Sequence, residues 1–340
     1  MQILIIGGSG TISASVARRA LEQGHSVTLL KRTAHGAPKG TQVLCGDVRD
    51  EAGTAALLRG RRFDAVAQFV AYTPDDVRRD IRLFSPLARQ YLFISSASAY
   101  QKPVGALPIT ESTPLANPYW QYSRDKAACE DVLMDAWRKD GFPVTIVRPS
   151  HTYNEKKVPL PLRGDGGSWQ TLARMRAGKA VIIPGDGCAL WTMTHADDFA
   201  AGFAGLFGNP RALGQAVHIT SDETMTWTQI YAVIAEALGC ELRPAYISSH
   251  FLAACGGAYD LRGQLLGDKT ANVCFDNTKI KRLVPGFACR VSMAQGLRAA
   301  VEYALAHPEC QQPDPAFDAW CERVLAARDA ALAHFQNSAR

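Results

Sequence analysis

Short apolar runs alternate with helix-like patterns along the first half of the chain. In the segments between these runs, apolar side chains recur three or four positions apart, as on one face of a helix. The runs predicted to be strands are residues 3–6, 26–30, 42–45, 65–70, 91–94 and 144–147. Strands that are apolar on both faces and alternate with helices are typical of a parallel sheet covered on both sides. The pattern therefore predicts an α/β fold with a doubly wound parallel sheet.

The composition and the hydrophobic pattern of the chain change after Pro149. Residues 151–186 are rich in Gly, Pro and Lys, and the regular alternation stops. The predicted later elements are helices over 169–175, 196–207, 228–238 and 316–335 and a strand over 217–220, with Thr226 as an N-cap. We predict a first domain over 1–150, to which segments near 190–222 return, and a smaller C-terminal domain over 151–340.

A glycine-rich turn, Gly7-Gly8-Ser9-Gly10-Thr11-Ile12, joins the first strand to a helix predicted over 12–23. Glycines allow a tight turn and a close approach of a pyrophosphate, and the helix N-terminus offers free N–H donors. In this context the turn predicts a Rossmann-type dinucleotide site. The third glycine of the usual pattern is Ser13, which is small enough for the turn to survive. The expected cofactor contacts are Gly7, Ser9, Gly10, Thr11 and Ile12.

The end of the second strand bears on the choice of cofactor. Sites that prefer NAD carry an acid there, which binds the ribose hydroxyls. This chain has Lys31 and Arg32 instead. Cationic side chains suit a ribose 2′-phosphate, so we predict NADP rather than NAD, with NAD as second choice.

A tyrosine and a lysine one helical turn apart follow the fifth strand. Tyr122 and Lys126 are separated by four positions, which places both side chains on one face of a helix. A free phenol has a pKa of about 10, and a nearby ammonium lowers it. Tyr122 is therefore expected to exchange a proton with a carbinol or ketone. Ser96 is expected to hydrogen-bond the same oxygen, and Lys126 to hold the nicotinamide ribose.

With these motifs the chain resembles the extended short-chain dehydrogenase/reductase family, in its epimerase/dehydratase branch. The matching segments are Gly7 to Ile12, Gly46-Asp47-Val48, Ile94 to Tyr100, Tyr122 to Lys126, Arg148-Pro149-Ser150-His151 and His195-Ala196-Asp197-Asp198. The resemblance implies that the catalytic serine is Ser96, four residues before Tyr100. It further implies a cofactor-binding first domain and a substrate-binding second domain. The cofactor contacts it implies are Asp47 and Val48 beside the adenine, Phe69, Val70 and Ala71 beside the ribose and nicotinamide, and Pro149.

Three departures from the family pattern bear on reaction and substrate. Family 4,6-dehydratases have an Asp-Glu pair where this chain has Ala97-Ser98, so no acid protonates a leaving hydroxyl and dehydration is disfavoured. His151 replaces an Asn that touches substrate, and it either hydrogen-bonds a hydroxyl or packs. Trp191 replaces an Arg that binds a diphosphate, and it either stacks on a sugar or base or belongs to the core. The expected substrate contacts are Ser98, His151 and Trp191, and specificity is expected to lie in 151–191 and 248–270.

Composition and charge narrow the function classes. The net charge is +5 and basic clusters are short, which disfavours nucleic-acid binding. Nine cysteines without a Cys-x-x-Cys pair are expected to be free thiols, as in the cytoplasm. No signal peptide and no apolar run near about 20 residues are found, so no membrane contact is expected. Asp197 and Asp198 are expected to cap a helix rather than to join His195 in a metal site.

The leading expectation is an NAD(P)-dependent oxidoreductase or epimerase that acts on a secondary alcohol or ketone of a sugar-like substrate, nucleotide sugars included. A 4-epimerase and a simple reductase use the same Ser–Tyr–Lys set, so both stay open. The alternative is RNA binding, because the start of the chain also resembles chloroplast stem-loop-binding proteins. Retention of Tyr122 and Lys126 argues against it. Family members often pair through helices, which makes the helix beginning at Tyr122 a candidate homodimer surface.

Overall fold

The structure, a computed structural model, describes residues 1–338. The strands are β1 Gln2–Ile6, β2 Ser26–Lys31, β3 Gln42–Cys45, β4 Ala65–Gln68, β5 Tyr91–Ile94, β6 Val144–Pro149, β7 His151–Tyr153, β8 Val181–Pro184, β9 Leu190–Trp191, β10 Met193–His195, β11 Gln215–Ile219, β12 Met225–Thr226 and β13 Pro244–Ile247. The helices are α1 Thr11–Glu22, α2 Glu51–Leu58, α3 Pro74–Phe84, α4 Gln121–Asp140, α5 Trp169–Arg176, α6 Ala196–Ala204, α7 Trp227–Ala237, α8 Ser249–Ala254, α9 Thr278–Leu283, α10 Met293–Ala306 and α11 Pro315–Ser338. A π-helical segment spans Arg262–Lys269.

Seven strands form the central sheet in the order β11-β6-β5-β4-β1-β2-β3. Every neighbouring pair is parallel. The strand order reverses between β1 and β4, and in open parallel sheets ligands bind outside the carboxyl ends of the strands at such a point. The structure thus confirms the predicted doubly wound, Rossmann-type α/β sheet and directs attention to its carboxyl edge.

Both faces of the sheet are covered by helices, which explains the continuous apolar runs in the sequence. In β1, Ile3 and Ile5 belong to a core on one face, while Leu4 and Ile6 belong to a core on the other. All four side chains are buried. Helices α1 and α6 pack together on the first face, and α3 and α4 on the second. Neither face can therefore carry the polar positions that an exposed strand would show.

Apart from α6 and β11, which belong to the central sheet and its cover, most elements beyond β6 form a smaller second part of the structure. Strands β8 and β13 pair in parallel, α7 packs on α10, and α11 packs on α5. The buried rings of Trp191 and Trp227 stack at the centre of this smaller part, with centroids 5.1 Å apart. One later strand, β11, lies in the central sheet beside β6. No helix within residues 1–338 has the length and apolar character that crossing a bilayer requires.

Several predicted boundaries need correction. Strand β4 ends at Gln68 rather than residue 70, because the Gln68 amide oxygen accepts the Val70 N–H at 2.7 Å and the chain turns there. Helix α6 ends at Ala204 rather than 207. The two- and three-residue strands after Pro149 were not predicted, since they are too short to show a period. Thr226 caps α7 as predicted, accepting the Gln229 N–H.

The carboxylates of Asp197 and Asp198 do not cap α6, contrary to expectation. The N-cap is His195, whose Nδ1 accepts the Asp197 N–H at 3.3 Å. Asp198 instead accepts the backbone N–H groups of Arg290 and Val291 and fixes the loop before α10. Asp197 pairs with Arg18 on α1 at 3.1 Å. Both carboxylates lie in the first turn of α6, where they still complement its dipole.

Candidate active site

The glycine turn between β1 and α1 has the backbone that only glycine adopts readily. Gly7 and Gly8 have φ angles of 109° and 105°. A Cβ at Gly8 would lie 2.9 Å from a methyl of Leu29, so a larger residue would force the buried Leu29 side chain to shift. The turn therefore brings bare backbone to the carboxyl edge of the sheet.

Ser13 closes this turn where the usual pattern has a third glycine. Its Oγ accepts the N–H groups of Gly8 at 3.2 Å and of Gly10 at 3.1 Å. Helix α1 has no acidic residue in its first turn, and its N-cap Gly10 has no capping side chain. The partial positive charge of this helix end is therefore not offset locally, which fits the phosphates of a dinucleotide.

The end of β2 carries two cationic side chains, Lys31 and Arg32, of which one is buried and the other is exposed. Lys31 is buried and its Nζ donates to the carbonyl of His35 at 2.8 Å, whereas Arg32 is exposed. Nearby, Asp47 is bonded by the guanidinium of Arg49 at 2.6 Å. The hydrogen bonds of Arg49, helped by the charge of Arg32, lower the pKa of Asp47 to about 2. Arg32 is thus the freer of the two predicted phosphate ligands.

The three predicted catalytic residues meet at the ends of β5 and α4. Ser96 Oγ lies 2.8 Å from Ser98 Oγ, which also accepts the Ser123 hydroxyl at 2.8 Å. Burial raises the pKa of Tyr122 to about 12, and a hydrogen bond with Ser96 partly offsets this. A phenol with this pKa keeps its proton at neutral pH, and Tyr122 lines the same cleft as Ser96 and Ser98.

Lys126 does not lower the pKa of Tyr122, contrary to the expectation from their spacing. Its Nζ donates to the carbonyl oxygens of Ala71 and Ile94, both at 2.7 Å, and lies 5.9 Å from the centre of the Tyr122 ring. The side chain is 1% exposed, and burial lowers the pKa of Lys126 to about 8. Loss of hydration on burial is therefore the largest cause of both pKa shifts, upward for Tyr122 and downward for Lys126.

A cleft of about 530 Å³ connects the glycine turn with this trio. Its walls come from the first turn of α1, the ends of β4, β5 and β6, the start of α4 and the π-helical segment. Predicted residues that line it are Gly10, Thr11, Ile12, Phe69, Ser96, Ser98, Tyr122, Lys126, Pro149 and His151. Predicted residues outside its walls are Gly7, Ser9, Lys31, Arg32, Asp47, Val48, Val70, Ala71 and Trp191.

Trp191 lies behind His151 rather than on the cleft surface. It is 2% exposed, stacks on Trp227, and its Nε1–H points to Nδ1 of His151 at 3.4 Å. Burial, followed by the charges of nearby lysines and an arginine, holds the pKa of His151 well below its usual value. Trp191 therefore touches His151 but not the cleft itself. It belongs to the core, and the expectation that it stacks on a ligand is wrong.

Nine cleft-lining residues were not among the predicted contacts: Ser13, Tyr72, Ile94, Ser95, Trp120, Ser150, Thr152, Asp268 and Lys269. Trp120 and Tyr72 flank Tyr122, and Asp268 and Lys269 come from the end of the π-helical segment. Trp120 could have been suspected because it lies two positions before Tyr122. Asp268 and Lys269 fall in the region expected to carry specificity, but no pattern marked them. Among residues 1–338, no group of three or more His, Cys, Asp or Glu side chains is arranged to hold a metal ion.

Comparison with known protein families shows which family the chain belongs to. The model described as the NAD dependent epimerase/dehydratase family matches residues 3–219, which is more than half of the chain. The chain belongs to this family. It is therefore an enzyme of the NAD-dependent epimerase/dehydratase type, and its cofactor is a nicotinamide dinucleotide.

The similar proteins include one named as a reductase, one named as an epimerase and one named as a stem-loop binding protein. 2′-Dehydrokanamycin reductase of Streptomyces kanamyceticus is 28% identical over 258 residues, covering 74% of this chain and 71% of the relative. UDP-glucose 4-epimerase of Lactobacillus helveticus is 30% identical over 169 residues, covering 44% and 51%. Chloroplast stem-loop binding protein of 41 kDa b of Arabidopsis thaliana is 25% identical over 255 residues, covering 70% and 63%. Both resemblances seen in the sequence are thus confirmed.

Solved structures of proteins named as epimerases share the fold of this chain. An epimerase of Methanothermobacter thermautotrophicus has a TM-score of 0.73 at 15% identity, over 91% of this chain and 93% of that one. A UDP-glucuronic acid 4-epimerase of Bacillus cereus, in complex with NAD, has a TM-score of 0.70 at 16% identity, over 91% and 98%. At such identities the similarity establishes the fold alone.

Proposed function

We propose that this chain is a reductase that uses NADPH to convert a ketone of a sugar-like molecule into a secondary alcohol. The observation that carries this proposal is that Tyr122 and Ser96 line one cleft that begins at the glycine turn, with burial keeping the Tyr122 phenol neutral. A phenol with a pKa near 12 keeps its proton at neutral pH. Its proton is therefore present for donation to the substrate oxygen, which ketone reduction requires.

Each residue of the trio has one task in this reaction. The Ser96 hydroxyl holds the substrate oxygen. Ser98 orients that hydroxyl through a 2.8 Å hydrogen bond, and Ser123 fixes Ser98 by donating to it, also at 2.8 Å. A reduced nicotinamide bound in the cleft would supply the hydride. Tyr122 then gives its proton to the oxygen on which negative charge develops. Lys126 holds the carbonyls of Ala71 and Ile94 in place and offers its remaining donor capacity to the cofactor ribose.

The carboxylates of the cleft support reduction over dehydration. Among the cleft-lining residues Asp268 is the one acid, and it is paired with Lys269. Ala97 and Ser98 follow Ser96, so no acid stands beside it to protonate a leaving hydroxyl. The relative named 2′-dehydrokanamycin reductase, which matches most of this chain, points the same way.

Net consumption of NADPH tests this proposal. The chain is mixed with NADPH and a panel of ketoses, and absorbance at the reduced-nicotinamide band is followed. We expect one NADPH oxidised per ketone reduced. A 4-epimerase, which the match to UDP-glucose 4-epimerase keeps as a second candidate, interconverts its sugars without net loss of NADPH. Epimer formation at constant absorbance would contradict the reductase.

Cofactor preference gives a second expected result. We expect NADPH to bind more tightly than NADH, because the exposed Arg32 is free to pair with a 2′-phosphate. Arg32→Ser is expected to weaken NADPH binding by roughly tenfold and to leave NADH binding unchanged, as loss of one charged hydrogen bond predicts. Titration by nicotinamide fluorescence measures both, with exposed Arg59→Ser as a control. Equal losses for the two cofactors would contradict the assignment.

RNA binding is the competing class, supported by the similarity to the chloroplast stem-loop binding protein. Such binding is dominated by phosphate contacts and weakens steeply with salt. It needs no neutral phenol in the cleft. Filter binding of a stem-loop RNA over a salt series separates the two. Tight, salt-sensitive binding by a chain that oxidises no NADPH would favour RNA.

A further inference from the structure

The π-helical segment Arg262–Lys269 contributes its last two residues to the wall of the cleft. Short π-helical segments are frequent at functional sites. Gly263 and Gly267 lie so close to Trp120 that a Cβ at either would overlap its side chain. The Trp120 ring also packs on the Tyr122 ring, with centroids 5.0 Å apart. The segment therefore reaches the cleft beside the proposed proton donor.

Buried side chains hold the end of this segment on both sides of Asp268. The amide of Asn117 donates to the carbonyl oxygen of Gly267 at 2.6 Å. The indole N–H of Trp227 donates to the carbonyl oxygen of Lys269 at 2.9 Å. Both donor side chains are buried. The backbone that presents Asp268 and Lys269 to the cleft is thus fixed in advance, as a binding site requires.

Asp268 and Lys269 form an acid–base pair whose hydrogen-bonding capacity is only partly used. Lys269 Nζ donates to Asp268 Oδ2 at 2.5 Å and lies 4.5 Å from the centre of the Trp191 ring. Their side chains are 14% and 15% exposed, and both line the cleft. Asp268 Oδ1 makes no hydrogen bond within residues 1–338 and is not among the enclosed atoms that lack one. An ammonium has three N–H groups, so Lys269 has donors to spare as well.

We propose that Asp268 and Lys269 together bind two neighbouring hydroxyls of the substrate. The carboxylate accepts one O–H, and the ammonium donates to the adjacent oxygen. The inference rests on the proposed reductase function and names its substrate class, a ring ketone that carries a vicinal diol. Neighbouring hydroxyl oxygens lie about as far apart as two hydrogen-bonded atoms, which matches the close contact of the pair. The diol lies on the part of the ring that faces the π-helical segment, while the ketone faces Tyr122.

The charge of the pair favours an uncharged ligand. Asp268 and Lys269 neutralise each other, and Asp268 is the one acid among the cleft-lining residues. A substrate ammonium in place of a hydroxyl would meet the Lys269 ammonium, and a substrate carboxylate would meet the Asp268 carboxylate. A hydroxyl leaves the pair intact, because it both donates and accepts a hydrogen bond. The site therefore selects hydroxyls over amino and acid groups.

Two ring ketones that differ in their hydroxyls test this inference. Cyclohexanone has the ketone alone, whereas an inosose, pentahydroxycyclohexanone, has hydroxyls on every other carbon of the same ring. NADPH oxidation by the full chain gives kcat and KM for each ketone. We expect the inosose to have at least about tenfold higher kcat/KM, mainly through a lower KM, because it gains hydrogen bonds to two charged groups. Equal kcat/KM values for the two ketones would overturn the inference.

Variants assign the preference to the pair. Asp268→Asn and Lys269→Met are each expected to remove most of the preference for the inosose and to leave kcat/KM for cyclohexanone unchanged. Turnover of cyclohexanone also shows that a variant is folded, and if Lys269→Met loses it, the conservative Asp268→Asn decides. Arg328→Met and Asp329→Asn are matched controls, since they change an exposed pair of neighbouring residues, 2.7 Å apart, outside the cleft walls. A preference that survives both cleft variants would contradict the site.

The same measurements separate this inference from the proposed function. Absence of NADPH oxidation with both ketones would count against the reductase, and the inference would fall with it. Oxidation of NADPH without a preference for the inosose would count against the diol site alone.

Discussion

Tyr122→Phe is expected to lower turnover by about 10²–10⁴-fold, the usual contribution of a positioned acid. Phenylalanine keeps the ring that packs against Trp120, 5.0 Å away between centroids, but removes the proton donor. Dinucleotide affinity should stay unchanged, because the ring rather than the hydroxyl fills that part of the cleft. Steady-state NADPH oxidation and fluorescence titration measure the two effects separately.

Tyr119→Phe is the matched control for this experiment. Tyr119 lies three positions earlier and outside the cleft walls, so its hydroxyl is expected to be dispensable. If Tyr122→Phe kept full turnover, proton donation by this residue would be ruled out. Equal losses in both variants would point to a disturbed start of α4 instead of lost acid catalysis.

Glu130→Ala is expected to cost about 3–5 kcal/mol of unfolding free energy, the range for breaking a buried ion pair. Glu130 accepts the Arg148 guanidinium at 2.6 Å and 2.9 Å, and both residues are buried. Its Oε1 also accepts the Ser95 hydroxyl at 2.5 Å. The variant leaves Arg148 as an uncompensated buried charge beneath the catalytic strand end. Urea unfolding gives the loss as a shift of the midpoint.

Asp135→Ala provides the comparison on the same helix. Asp135 pairs with Arg138 and Lys139 at the surface, where such pairs contribute at most about 1 kcal/mol. Replacing both partners of the buried pair, as Glu130→Leu with Arg148→Met, should recover much of the stability. A loss for Glu130→Ala as small as that for Asp135→Ala would contradict a structural role for the buried pair.

The fold could be predicted from the sequence because its signal is local. A parallel strand buried on both faces, such as β1, is apolar at every position, and the glycine turn follows it directly. The short strands β7, β9, β10 and β12 gave no such signal. Their two or three residues are held by pairings with segments distant in sequence, such as Met225 with Trp191.

The site could be predicted only in part, for the same reason. Tyr122 and Lys126 are expected from order and spacing and Ser96 from the family resemblance, and all three line one cleft. The direction of the Tyr122 pKa shift does not, because the Lys126 ammonium is taken up by the carbonyl oxygens of Ala71 and Ile94. Asp268 and Lys269 come to the cleft through the glycine packing of the π-helical segment on Trp120, which spacing along the chain does not encode.

A crystal structure of the chain with NADPH and a bound ketone analogue would test the central claim most directly. The claim predicts the Tyr122 oxygen within hydrogen-bond reach of the ketone oxygen. It also predicts the ketone carbon about 3–3.5 Å from the hydride-bearing carbon of the nicotinamide. A nicotinamide bound away from Tyr122, or a phenol turned from the ketone oxygen, would contradict it.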